Sequence, residues 1–223
     1  MKLVHEEYDL ALDLLENKVN VLVIERHSLF TEIIQELYKQ CNGEEGHFII
    51  SYNQKILSMS KTVEIITDIL GIDCNNKRML ASLYQEIEQL VNENLIMESA
   101  QFNSSMIYYL ERMLETVPYH LEYQADCIPT KIMKMVEMKF EMKDISLLER
   151  IVEYLGIKGK LYGTAVTIFV NLKMYLEKEE LQSLYEYIFY NKLQVILIEG
   201  GVDAVLPEEQ VTIIEVDKCI IKV

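Results

Sequence analysis

Two stretches of the sequence carry side chains that are common in active sites. Arg26, His27 and Ser28 follow the first strand-like run, and Asp68 follows a later one. A nucleotide-dependent enzyme needs a glycine-rich phosphate loop after its first strand, but no glycine occurs before Gly43. Asp68 is therefore better explained as a polar cap at the edge of a sheet than as a magnesium ligand. Ser28 lacks the flanking glycines of a nucleophile elbow and is better explained as a helix N-cap.

The histidines and cysteines show no spacing that is typical of a metal site. No Cys-x-x-Cys pair occurs, and no histidine completes a zinc pattern. The residues concerned are His5, His27, His47 and His120, with Cys41, Cys74, Cys127 and Cys219. The N-terminal segment has an acidic middle and no continuous apolar run, which is not the pattern of a signal peptide. We therefore expect reduced thiols and a cytoplasmic location.

The chain is strongly acidic, with a formal net charge of −15 over 223 residues. Such a charge predicts a soluble protein that on average repels nucleic acid and anionic membranes. Residues 127–143 depart from it, because four lysines against two glutamates give this segment a charge of +2. These residues are Lys131, Lys134, Lys139 and Lys143, with Glu137 and Glu141. The segment is either a local basic site or an ordinary helix surface.

Runs of apolar and β-branched residues predict the strands of a buried sheet. The predicted strands are residues 19–25, 47–51, the start of 63–73, 164–172, 194–199 and 211–216. Amphipathic stripes predict helices over residues 28–41, 77–93, 104–117, 130–137, 146–155 and 177–190, with Gly156 as a stop and an extended piece over 138–143. Fully apolar strands that alternate with helices indicate an α/β fold with a mostly parallel sheet.

The order of these elements predicts two domains. Residues 1–74 and 159–223 form one discontinuous α/β domain, because strand patterns occur at both ends of the chain. Residues 75–158 are an inserted helical domain. The stretch 63–73, VEIITDILGID, is the point at which the sheet gives way to the helices.

Several segments, in register along the chain, carry a family resemblance. They are ITDILG at 66–71 with Asp73 and Asn75, VLVIE at 21–25, LEY at 121–123, IFVN at 168–171 with KEEL at 178–181, and VILIE at 195–199. In these segments the sequence resembles the Csn-two family, the CRISPR-associated adaptation proteins of type II-A systems. The resemblance covers nearly the whole chain.

The resemblance implies a P-loop-NTPase-like α/β fold with a mostly parallel sheet, no functional phosphate loop, and an inserted helical domain. It also implies a homotetrameric ring that binds double-stranded DNA ends in its channel and is held together by calcium. The setting it implies is spacer acquisition, with the Cas-one and Cas-two integrase and the effector nuclease as partners. No catalytic activity and no nucleotide cofactor are implied.

The resemblance also implies site residues. The DNA-binding candidates are Lys134, Lys139, Lys55, Lys61 and Lys131, and the calcium-binding candidates are Glu122, Asp126 and Glu141. The chain departs from the family pattern before LEY, where residues 116–120 contain no acid, and Lys131 replaces a family glutamate. Calcium binding is therefore expected to be weaker, or replaced by direct pairs of lysine and acid.

A second function from a different class is compatible with the same residues. The acidic surface would suit a protein-interaction scaffold of the adaptation complex that binds little DNA itself. A third function, a nucleotide-dependent enzyme, is disfavoured by the missing phosphate loop.

Overall fold

The computed structural model describes residues 1–124, 129–141, 145–163, 166–201 and 204–223. The chain divides into two compact units. The first, called the sheet unit here, comprises Met1–Asp73 and Asp144–Val223, and the second, the helical unit, comprises Cys74–Lys143. The second boundary lies well before the predicted residue 158. The helix that follows it buries its apolar face within the sheet unit.

The sheet unit contains all the described strands. They are β1 (Lys2–His5), β2 (Leu10–Asp13), β3 (Val19–Ile24), β4 (Phe48–Tyr52), β5 (Lys55–Leu57), β6 (Val63–Ile66), β7 (Val166–Val170), β8 (Gln194–Glu199), β9 (Glu209–Ile214) and β10 (Ile220–Lys222). Its helices are α1 (His27–Cys41), α2 (Met59–Thr62), α6 (Leu147–Tyr162) and α7 (Lys178–Tyr190), with a 3₁₀ turn at Leu172–Met174. The helical unit holds α3 (Lys77–Asn94), α4 (Ile96–Leu114) and α5 (Pro129–Met135).

The larger sheet is mostly parallel, as predicted. Its six strands lie in the order β10-β9-β3-β8-β7-β6, and only β10 runs antiparallel to its neighbour. Every residue of β3 and of β7 is buried, because both strands lie inside the sheet and both faces are covered. The mixed α/β architecture is therefore confirmed.

A second sheet was not predicted. It is antiparallel, with four strands in the order β2-β1-β4-β5. The sequence patterns gave no strand for β1 or β2 because each is only four residues long and alternates between buried and exposed positions. Leu3 and Ile50 on this sheet share one hydrophobic core with Leu22 on the parallel sheet and with Leu29 and Ile33 of α1.

Helix α6 continues past the predicted stop at Gly156, and that prediction is wrong. Gly156 and Gly159 lie inside the helix, where a Cβ would come within 2.5 Å of the Tyr187 hydroxyl oxygen and 2.9 Å of Leu193 Cδ2, respectively. These glycines allow close packing of α6 against α7 and the residues after it, a reason the local sequence does not reveal. The helix ends instead at Gly163, whose φ of 64° requires a left-handed backbone.

Two lysines of the sheet unit are buried as ion pairs. Lys173 Nζ lies 2.7 Å from Glu209 Oε1, and the Tyr185 hydroxyl donates to the same carboxylate at 2.7 Å. Burial and the neighbouring charge of Glu209 raise the pKa of Tyr185 well above its ordinary value, so Tyr185 stays a hydrogen-bond donor. Lys158 Nζ lies 2.8 Å from Glu64 Oε2. Both lysines therefore have a structural role.

The helical unit differs in part from its prediction. Helix α4 begins at Ile96, eight residues before the predicted start, and only Leu95 separates it from α3. The structure assigns no strand to residues 138–141, which were predicted to be extended, and residues 142 and 143 lie outside the described residues. Hydrogen bonds to side chains, instead of a sheet, hold the described part of this segment.

Candidate nucleic-acid interface

Three of the predicted DNA-binding lysines lie on or just after α5. Lys131 and Lys134 are exposed and three residues apart, so they share one side of the helix. Met133 is 3% exposed and anchors α5 within the unit. Lys139 follows just after the turn that ends α5 and is also exposed. None of the three lysines makes an ion pair with another described residue.

A Schellman motif ends α5 and directs the chain towards Lys139. The Met138 amide donates to the Met133 carbonyl at 2.9 Å, and the Glu137 amide donates to the Lys134 carbonyl at 3.2 Å. Glu137 occupies the left-handed position with φ of 50°. Glycine is the usual residue there, so Glu137 holds a strained backbone at the centre of the basic segment.

Two polar side chains of the helical unit fix the backbone on both sides of Lys139. The Tyr84 hydroxyl donates to the Met138 carbonyl at 2.6 Å. The Asn75 side chain accepts from the Phe140 amide at 2.8 Å and donates to the Phe140 carbonyl at 3.1 Å. Lys139 therefore projects from a backbone that is fixed before and after it, which lowers the entropy cost of placing its charge against a ligand.

Asn75 and Tyr84 are functional candidates that the sequence did not assign. In the sequence, Asn75 stands out only as part of a segment that carries the family resemblance. Tyr84 lies in the stretch 77–93, for which the sequence predicts only an amphipathic helix. A polar side chain just before a helix start was the one available signal, but it did not indicate a partner 65 residues away.

The ITDILG segment forms a turn rather than a metal site. Asp68 Oδ1 accepts from the Gly71 amide at 2.9 Å, which agrees with its prediction as a polar cap. A Cβ on Gly71 would lie 2.3 Å from Asp68 Oδ2, so the Asp68 side chain in this position leaves no room for a larger residue. Arg150 donates to the Leu70 carbonyl at 3.2 Å and ties the same turn to α6.

The other two predicted lysines belong to the sheet unit. Lys55 starts β5 at the tip of a hairpin whose turn residues, Asn53 and Gln54, have φ of 48° and 64°. Two positive values are typical of the type I′ turn of a tight hairpin. Lys61 lies in the last turn of α2, and both lysines are exposed. The tight hairpin gives Lys55 a defined position at the surface.

The predicted calcium ligands do not form a site of three ligands among the described residues. Glu122 and Glu141 are exposed, and Asp126 lies outside the described residues. Within the part of the chain that the structure describes, one group of three ligand residues comes together, His5, Glu36 and His47 in the sheet unit. The two histidines are 42 positions apart, so their spacing gave no signal.

No helix among the described residues is long and apolar enough to cross a membrane.

The comparisons with known proteins agree on one family. The family model for CRISPR-associated protein (Cas_Csn2) matches residues 40–218. The chain is 26% identical over 191 residues to the CRISPR-associated protein Csn2 of Enterococcus faecalis, covering 83% of this chain and 84% of the relative. It is 26% identical over 190 residues to the protein of the same name from Streptococcus agalactiae, covering 82% of each chain. The match confirms the resemblance found in the sequence.

Proposed function

Because the chain belongs to the CRISPR-associated Csn2 family, we propose that it binds the ends of double-stranded DNA during spacer acquisition. It acts as a homotetrameric ring, without sequence preference and without catalysis, beside the integrase subunits and the effector nuclease. One observation carries the proposal: Lys131 and Lys134 are exposed on α5, and Lys139 is exposed just after it, where the backbone is fixed on both sides.

Ring formation accounts for how so acidic a chain could hold DNA. Four copies carry a formal charge of about −60, which is four times −15. Such an assembly would reject DNA unless its lysines converge, and closed symmetry repeats each basic segment once per copy. Phosphate contacts made by lysines carry no sequence information, which suits the binding of arbitrary DNA fragments.

Helix α4 supports an assembly of several copies. It has no buried residue among its 19 residues, yet Phe102, Tyr108, Tyr109 and Met113 lie along it with exposures of 45–66%. Monomeric proteins rarely leave so many large apolar side chains in contact with water. We propose that a second copy of the chain covers this helix in the ring.

Calcium assists the ring in this proposal. Glu122 and Glu141 are exposed carboxylates near the basic segment in sequence, and calcium prefers six to eight oxygen ligands. Each ion would supply +2 between acidic copies and so reduce their repulsion. Native mass spectrometry in calcium and in chelator tests this part, since a tetramer that persists in chelator would remove the need for calcium.

Two substitutions test the DNA contact. Replacing Lys134 and Lys139 by Glu reverses two exposed charges per copy. We expect duplex affinity to fall by more than about tenfold and the salt dependence of binding to weaken by roughly one unit per lost phosphate contact. The matched control replaces Lys39 and Lys178, exposed lysines of α1 and α7, by Glu. Unaltered binding by the Lys134 and Lys139 variant at moderate salt would refute the assignment.

The scaffold function makes the opposite prediction in a gel-shift assay. A DNA-end binder retards linear duplex more strongly than circular duplex of the same sequence. A scaffold that acts through its acidic surface retards neither, with or without chelator. An ATPase assay tests the third function, a nucleotide-dependent enzyme. We expect no ATP hydrolysis, because α1 starts at His27 and no glycine-rich loop precedes it.

A further inference from the structure

Three ligand-type side chains from three elements of the sheet unit meet at one end of β1. His5 is the last residue of β1, His47 directly precedes β4, and Glu36 lies on α1. The antiparallel register pairs His5 with Phe48, which brings the two histidines to the same strand end. His5 Nε2 lies 3.1 Å from Glu36 Oε2, and His47 Nδ1 lies 3.1 Å from Glu36 Oε1.

The spacing of these atoms suits a small divalent ion. One nitrogen from each histidine and one oxygen from Glu36 all lie within 4.8 Å of one another. A tetrahedral zinc ion with bonds of about 2.0 Å separates its ligand atoms by roughly 3.3 Å. The two separations of 3.1 Å run to different oxygens of Glu36, Oε2 for His5 and Oε1 for His47, so the side chains must move for one ion to contact all three residues. The ligand atoms start within 4.8 Å of one another, so these movements are small.

The surroundings favour a fixed, ionised carboxylate and an accessible site. Burial opposes ionisation of Glu36, but hydrogen bonds from the His47 amide and from His5 outweigh it and lower the pKa of this carboxyl. The His47 amide donates to Glu36 Oε1 at 2.6 Å, which leaves Oε2 for an ion. His5 is buried, whereas the side chain of His47 is 49% exposed and gives solvent access.

A further carboxylate orients His47. Its Nδ1 lies 3.1 Å from Glu36 Oε1 and its Nε2 lies 3.4 Å from Glu7 Oε1. When a metal binds Nδ1, the ring proton can therefore sit on Nε2 and face Glu7. Histidines that bind metals commonly donate their other ring proton to a carboxylate in this way.

We propose that His5, Glu36 and His47 bind a divalent transition-metal ion, with zinc as the best fit, and leave a fourth position to water. Two imidazoles and one carboxylate are ligands that zinc prefers, whereas calcium prefers oxygen ligands alone. The site is thus chemically distinct from the calcium-binding residues proposed for the helical unit. It would add a rigid crosslink between β1, α1 and the start of β4.

Metal binding changes the protonation of His5 in a defined way. The Glu7 amide donates to His5 Nδ1 at 3.2 Å, so without metal the ring proton sits on Nε2 and is donated to Glu36. The ion takes the place of this proton on Nε2, and the proton moves to Nδ1. The long hydrogen bond from Glu7 is lost, and the ring remains neutral.

The experiment uses the full chain without a histidine tag. Isothermal titration with Zn²⁺, repeated with Ca²⁺, is carried out on the wild-type protein and on His47→Gln, which removes a half-exposed ligand. We expect one zinc ion per chain and a loss of affinity of at least about tenfold in the variant. His27→Gln, at an exposed histidine elsewhere, is the matched control and should bind as the wild type does.

A spectroscopic measurement distinguishes the loss of a metal ligand from a purely structural effect of the substitution. In nitrogen-15 NMR spectra, His5 should change from the Nε2-protonated to the Nδ1-protonated form when zinc is added. Absence of zinc binding in the wild type, equal binding by His47→Gln, or an unchanged His5 form in the presence of bound zinc would each overturn the site. None of these outcomes bears on DNA binding, which is measured separately.

Discussion

The two units of the protein use lysine in opposite ways. In the sheet unit, Lys158 and Lys173 are buried, with side chains 4% and 6% exposed, and each contacts a carboxylate within 2.8 Å. In the helical unit, Lys131, Lys134 and Lys139 are exposed and make no ion pair with a described residue. The same residue type therefore stabilises one unit and remains available to a ligand in the other.

This difference shows that the count of charges is a poor guide to function in this chain. A buried ion pair is retained because removal of one partner leaves an uncompensated charge. An exposed lysine adds little to stability and can be changed with little effect on folding. Substitutions at the buried lysines should therefore change stability, and substitutions at the exposed lysines should change DNA binding. Loss of a buried lysine should have the largest effect.

The largest effect is expected for Lys173→Met. The change leaves Glu209 buried without its cation, and unfolding free energy should fall by about 3–5 kcal/mol in urea titrations. Duplex affinity of the folded fraction should stay unchanged. In the double variant with Glu209→Gln, which also removes the buried charge, part of the loss should be recovered. A loss in the double variant equal to or larger than that of the single variant would contradict the pairing.

Glu36→Gln comes next and has a defined pH dependence. Glu36 is a charged acceptor of hydrogen bonds, so its replacement should lower the free energy of unfolding by about 2–3 kcal/mol at neutral pH in chelator. Because the folded-state pKa of Glu36 is lowered, its contribution is present above the unfolded value and is lost as pH falls through the folded value. The difference from the wild type should therefore shrink below about pH 4. Urea titrations at pH 7, 5 and 3 test this, and a constant difference would exclude it.

Asn75→Ala tests the fixed backbone beside Lys139. The loss of both hydrogen bonds to Phe140 should cost about 1–2 kcal/mol, and hydrogen exchange at the Phe140 amide should speed up. Duplex affinity should fall less than in the Lys134 and Lys139 variant, because the lysines remain. Tyr84→Phe is the companion change, since it releases only the Met138 carbonyl. Unchanged hydrogen exchange at the Phe140 amide in the Asn75 variant would show that Asn75 does not fix this backbone.

The smallest effect is a gain. Glu137→Gly relieves the left-handed strain at the end of α5 and should stabilise the protein by up to about 1 kcal/mol, as measured by thermal unfolding. It also removes an acid from the basic segment, so duplex affinity should rise. Glu137→Ala serves as the control, because it removes the acid and keeps the strain. Equal stability of the Glu137→Gly and Glu137→Ala variants would show that the left-handed backbone at residue 137 carries no strain.

The parallel sheet could be predicted because its signals are local. The run 194–199 is apolar and β-branched, and it matches β8 at both ends. The amphipathic stripe of residues 28–41 likewise predicted α1, and Leu29, Ile33 and Leu37 form the buried face of this helix. In each case the residues of one short segment contain the pattern that folding uses.

What sequence could not predict depends on residues far apart in the chain. The length of α6 depends on Tyr187 and Leu193, which lie against its two internal glycines. The meeting of His5 and His47 depends on the pairing of two strands, one of which left no clear pattern. The fixed position of Lys139 depends on Asn75 and Tyr84, and no spacing rule links these to it.

The strand order determines how long each strand of the parallel sheet lacks its partners during translation. Strand β3, all of whose residues are buried, lies between β8 and β9 in the sheet, and these strands begin about 170 and 185 residues after β3 ends. The antiparallel sheet is complete by Leu57, and the helical unit is complete by Lys143. During translation β3 must therefore remain without its partner strands while the whole helical unit is synthesised. We expect chaperone dependence to centre on this interval.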